Sequence, residues 1–143
     1  MKIFLTMLIL ALVTCVLHIM WERSHISLYT AYEKMEGVLP VYVFATLGDI
    51  GYTLGAIALI GLIKGDMMWL ASARPSDFLM LALLGFGIAL FVEYKALALD
   101  RWAYTSEMPI LPYFQVGFTP ILQMTVLLPL SVYITRIIGK SFI

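Results

Sequence analysis

Apolar residues fill four long stretches of this chain, at about Ile3 to Trp21, Leu39 to Ile63, Phe78 to Leu99 and Tyr113 to Ile138. None of them alternates apolar and polar residues as a barrel strand does. Each is near the roughly 20 residues that a helix needs to cross the hydrocarbon of a bilayer. The pattern predicts an all-α integral membrane four-helix bundle with up-down topology and both termini on the same side. Residues 1–143 form a single transmembrane domain in this reading.

The connectors are short and polar. Residues 23–36 of the first are rich in charge and tyrosine, and predict an interfacial helix. The second is broken by Arg74-Pro75, and in the third Pro109 and Pro112 forbid a long regular helix. Pro120 and Pro129 predict kinks in the fourth span.

Composition strengthens this picture. Of 143 residues, 62% are hydrophobic and 13% charged, whereas a soluble domain is about half apolar and a quarter charged. Nine basic residues balance nine acidic ones, with no basic run to suggest nucleic acid. The lone Cys15 leaves no internal disulfide. Lys2 and the following apolar run look like a signal peptide, but the run continues to Trp21 without a small-x-small cleavage pattern, so a retained helix is expected. Lys2, Lys64, Arg74, Arg136 and Lys140 fall on one side of the spans, and Arg23, Lys34, Lys95 and Arg101 on the other. The positive-inside rule then places the termini in the cytoplasm.

Polar residues inside the spans carry the candidate chemistry, because ionisable groups there face a bundle interior or a wet cavity. His18 and Glu22 stand four apart on one helical face, with Ala11 and Cys15 extending it. Asp49 lies in the second span beside Tyr52. Glu93 lies in the third, on a stripe with Ala82, Gly85, Ala89 and Ala96. Gln115, Thr119 and Gln123 follow by fours in the fourth. In an up-down bundle these groups share the outer half of the bilayer, Asp49 and Gln123 about 15 Å from the start of their spans, and the inner half is nearly pure hydrocarbon. An acidic pocket opening outward is expected. His18, Glu22, Asp49 and Glu93 are its candidate acid–base residues, and Gln123, Gln115, Tyr52, Trp102 and Arg101 its candidate binding residues. Trp21, Trp102, Tyr104 and Tyr113 also read as interfacial anchors. Gly51-Tyr52-Thr53-Leu54-Gly55 is a GxxxG packing motif.

One span histidine and three carboxylates raise a metal reading, but no HExxH or paired ExxH spacing is present, and no metal is assigned. No cofactor motif, phosphate-binding glycine loop or nucleophile elbow is present either.

Trp21-Glu22, Leu28-Tyr29, Ala45-Thr46-Leu47-Gly48-Asp49, Arg101-Trp102-Ala103-Tyr104, Met108-Pro109 and Pro120-x-x-Gln123 together resemble small bacterial four-helix membrane proteins of unknown function. His18-x-x-x-Glu22, then Leu28-Tyr29, acids in the middle helices and Gln123 before Pro129 are similar to the emopamil-binding sterol isomerase (EXPERA) family. That family has Asn for the amide, a proline spacing different by one and a tryptophan after the amide, so the resemblance extends only to His18 and Glu22. It implies an intramembrane acid–base or sterol-binding pocket.

Three function classes fit the sequence. The first is binding, with or without acid–base conversion, of an isoprenoid- or lipid-like small molecule. The second is a non-catalytic subunit or assembly factor of a larger membrane complex. The third is an oligomeric proton-coupled transporter. Membrane lipids, a homo-oligomer or a larger membrane complex are the expected partners.

Overall fold

A computed structural model describes residues 2–30 and 39–142, with side chains to residue 140. Four helices dominate it: α1 (Lys2–His25), α2 (Val41–Lys64), α3 (Pro75–Ala98) and α4 (Phe118–Phe142). All four are long and apolar enough to cross a membrane. Four two-residue strands lie in the connectors: β1 (Tyr29–Thr30), β2 (Ala103–Tyr104), β3 (Ile110–Leu111) and β4 (Val116–Gly117).

Helix ends follow local chemistry. Gly65 closes α2 at φ +65°, a left-handed turn that glycine adopts without strain. Asp66 N–H then reaches back to the Gly61 carbonyl at 3.0 Å. Pro75 starts α3, where a missing N–H costs nothing, and the Asp77 carboxylate accepts the Arg74 N–H at 2.8 Å. Lys64 reaches Asp77 at 2.6 Å, tying the end of α2 to the start of α3.

The packing is uneven. α1 lies against α2 and α4, and α3 against α4, whereas α2 and α3 scarcely touch. Lipid tails are as apolar as leucine, so close backbone approach and hydrogen bonds must hold such helices together. Gly85 supplies the approach: a Cβ there would sit 2.3 Å from the Met124 carbonyl oxygen of α4. Leu10, Ile57, Ile60, Leu81, Leu128 and Val132 fill the bundle centre.

Several sequence expectations change here. The interfacial helix over residues 23–36 is not formed over 23–30: α1 continues to His25, a 3₁₀ turn covers Ile26–Leu28, and β1 follows. Residues 31–36 lie outside the described residues. β1 pairs antiparallel with β2, Tyr29 opposite Tyr104. The chain leaving α1 is thus clasped to the chain leaving α3.

The fourth helix begins at Phe118, not Tyr113. Residues before it form the hairpin β3–β4, turning through Gln115 at φ +56°. Pro120 stops the helix from reaching further back, since it has no N–H for the Val116 carbonyl and its ring would crowd it. Gln115 therefore leaves the face it was expected to share with Thr119 and Gln123. Pro120 falls in the first turn of α4, where its ring breaks no helical hydrogen bond, and only Pro129 lies in the interior.

The buried stripe of α1 is Thr6, Leu10, Thr14, His18, Glu22 and His25, while Ala11 and Cys15 are half-buried. A Cβ added at Gly51 or Gly55 would meet nothing within 4 Å, so the GxxxG motif makes no close helix contact among the described residues. The half of the bundle away from His18 is not pure hydrocarbon, since Thr6, Thr14, Thr53, Ser131 and Thr135 are buried there.

Candidate functional site

The gap between α2 and α3 forms a cleft of about 220 Å³. One side is made by Phe44, Gly48, Asp49 and Tyr52 of α2, the other by Ile88, Val92 and Glu93 of α3. Gln123 and Met124 of α4 and Glu22 of α1 line it from behind, and Tyr29, Arg101 and Trp102 from the connectors. Its carboxylates come from three different helices.

Gln123 organises the deep end. It is 3% exposed, and its Nε2 lies 2.8 Å from Glu22 Oε1 and 2.9 Å from Asp49 Oδ2. An amide NH2 has two hydrogens, and two carboxylates are the acceptors that use both. The same nitrogen lies 3.1 Å from His18 Nδ1. His18 Nδ1 is also 3.0 Å from Asp49 Oδ2. With the amide hydrogens given to the acids, the proton on Nδ1 is donated to Asp49. His18 Nε2 is buried and without a partner among the described residues. His18 does not line the cleft but stands behind Asp49, so it is linked to the cleft through that carboxylate.

Glu22 has a second partner. His25 Nε2 lies 3.3 Å from Glu22 Oε2, and His25 Nδ1 lies 3.1 Å from Thr119 Oγ1 of α4. A proton on Nε2 is donated to Glu22, and the Thr119 hydroxyl donates to Met108 Sδ at 3.4 Å. The i,i+3 spacing of Glu22 and His25 on one helix makes this contact. His25 falls in the first connector by sequence, yet it is the last residue of α1. The signal that it belonged to the site was its spacing: seven residues after His18, two turns further along the same face.

Glu93 is held separately. Tyr104 Oη donates to Glu93 Oε2, and Trp102 Nε1 donates to the same oxygen at 3.3 Å. Burial, then the charge of Glu93, hold the Tyr104 phenol above its usual range, so it stays protonated as a donor. Tyr104 and Trp102 thus do more than anchor at an interface. Tyr29 stacks edge-on with His25 at 5.3 Å and with Trp102 at 6.0 Å, and packs tilted on Tyr104 at 5.7 Å. The β1–β2 pairing sets this aromatic wall over the acids.

The structure brings His18, Glu22, Asp49 and Gln123 into one hydrogen-bonded cluster. It places Glu93, Tyr52, Trp102 and Arg101 on the walls of the same cleft. Gln115 is elsewhere: it is exposed on the β3–β4 turn, and its side chain donates to the Pro112 carbonyl. Its assignment to the pocket is withdrawn, because a helix was assumed where the chain turns. Among the described residues, no three His, Cys, Asp or Glu side chains are grouped to hold a metal ion.

No family model, curated protein or solved structure matches the chain. The resemblances drawn from short motifs therefore stand as readings of those residues alone.

Proposed function

We propose that the chain is an up-down membrane protein, with both termini on the cytoplasmic side of a bacterial inner membrane, whose cleft binds an isoprenoid- or lipid-like small molecule. The observation that carries this reading is a cleft between two barely touching helices that has apolar walls and a polar, acid-rich interior. Such a site takes an apolar body flanked by Phe44, Ile88 and Val92, and a polar end facing Glu22, Asp49, Glu93 and Gln123. Acid–base conversion is the enzymatic form of this reading. A protonated carboxyl gives its proton to one carbon of a double bond while a second carboxylate removes one from a neighbouring position. The double bond shifts and the ligand's composition is unchanged. His18 would support Asp49 in either role, and Tyr104 would position Glu93.

The test is native mass spectrometry of protein extracted with its membrane lipids. The wild-type chain is expected to retain a small apolar molecule. Asp49→Asn and Glu93→Gln are expected to lower retention about tenfold or more, on the scale of a lost hydrogen bond to a charged group, while insertion is preserved. Equal retention by all three proteins would sink the reading.

A second reading, as a subunit of a larger membrane complex, is favoured by one feature. Gly48, Gly51 and Gly55 leave a face of α2 open to close approach. Stoichiometric partners after purification in mild detergent would support it.

A further inference from the structure

A second cavity of about 280 Å³ lies at the opposite end of the bundle, where the start of α1, the connector after α2 and the end of α4 meet. Met68 and Leu70 of the connector give it an apolar wall. Arg136 and Lys140 of α4 give it two cations, and among the described residues no acid lines it.

Arg136 is fixed in place, since its Nη1 donates to the Ala73 carbonyl at 2.8 Å. Its Nε is buried with no acceptor among the described residues, and so are the hydroxyls of Thr6 and Thr135. Those two threonines are 5% and 2% exposed, and both line the cavity. A buried donor without an acceptor is costly, so three at one cavity call for an acceptor-rich group. The acids nearest in sequence are engaged elsewhere: Asp77 with Lys64 at 2.6 Å, and Asp66 with the Met68 N–H at 2.8 Å.

We infer that this cavity binds the phosphate group of an anionic phospholipid in the leaflet on the side of the chain termini. A phosphodiester offers several oxygens and no proton. It matches a guanidinium, an ammonium and two hydroxyls. The apolar wall of Met68 and Leu70 takes the first carbons of the acyl chains. Basic pockets between helix ends are where anionic headgroups settle, because the cations are already at headgroup depth.

The full-length protein in detergent is incubated with dioleoyl phosphatidylglycerol or dioleoyl phosphatidylcholine, and bound lipid is counted by native mass spectrometry. The wild type is expected to retain phosphatidylglycerol about tenfold better, because both lipids carry the phosphodiester but the choline cation of phosphatidylcholine is repelled by Arg136 and Lys140. Thr135→Val combined with Lys140→Gln is expected to abolish the preference. Lys95→Gln, which removes a cation at the far end, is expected to leave it intact. Lys140→Gln alone, at an exposed position, tests the site if the double variant does not fold. Equal retention of the two lipids, or a preference unchanged by the cavity variants, overturns the proposal. Binding of inorganic phosphate with no retention of phosphatidylglycerol also overturns it, since the site would then take a free anion and not a lipid.

Discussion

The amide of Gln123 stands between Glu22 and Asp49 and gives one hydrogen to each. Without it, the buried Glu22 and the half-buried Asp49 on neighbouring helices would face each other with fewer donors. Gln123→Leu is therefore expected to cost about 2–4 kcal/mol of stability, read by thermal unfolding in detergent micelles. A cost under about 1 kcal/mol would mean that the acids find other donors. Glu22, Asp49 and Gln123 were legible as one layer from their depth along the spans, because rise per residue is nearly constant in a helix. His25 and Tyr104 were not. The apolar run of α1 stops at Trp21, yet backbone hydrogen bonding continues past it to His25. Tyr104 joins Glu93 only through the pairing of β1 with β2, a contact between distant segments that no local pattern encodes. Buried threonines were missed for another reason: a hydroxyl is neutral and breaks no hydropathy window.

At the scale of elements, glycine means different things in different helices. Gly85 lets α3 press on the α4 backbone, and a side chain would meet the Met124 carbonyl at 2.3 Å. Gly85→Ala is expected to destabilise the bundle by about 1–3 kcal/mol or more through overpacking, measured by the same unfolding assay. Gly48 borders the cleft with nothing within 4 Å of an added Cβ. Gly48→Leu is therefore expected to leave stability within about 0.5 kcal/mol, as a surface change does, while filling the cleft and lowering ligand retention. Loss of stability with unchanged retention would contradict this assignment of the cleft wall. The existence of all four helices was legible because long apolar runs leave little alternative. Their ends were less so, and the start of α4 erred by five residues because the apolar hairpin residues before Phe118 read as more span.

Across the whole molecule the two ends differ in character. One carries acids behind an open seam, and the other carries paired cations and a basic cavity. The clasp of β1 with β2 binds the exits of α1 and α3 to each other. α2 is held mainly by α1 and keeps little contact with α3. That makes α2, with Asp49 on it, the wall best able to shift, while α1 and α3 hold Glu22 and Glu93 in position.

The seam between α2 and α3 has a consequence for how occupancy must be expressed. In the proposed setting the guest arrives sideways through hydrocarbon and never passes through water. Its effective concentration is then its mole fraction among lipids, fixed by two-dimensional mixing and not by the volume of buffer. Adding empty vesicles that exchange lipid should empty the site, whereas diluting the same vesicles with buffer should leave it filled.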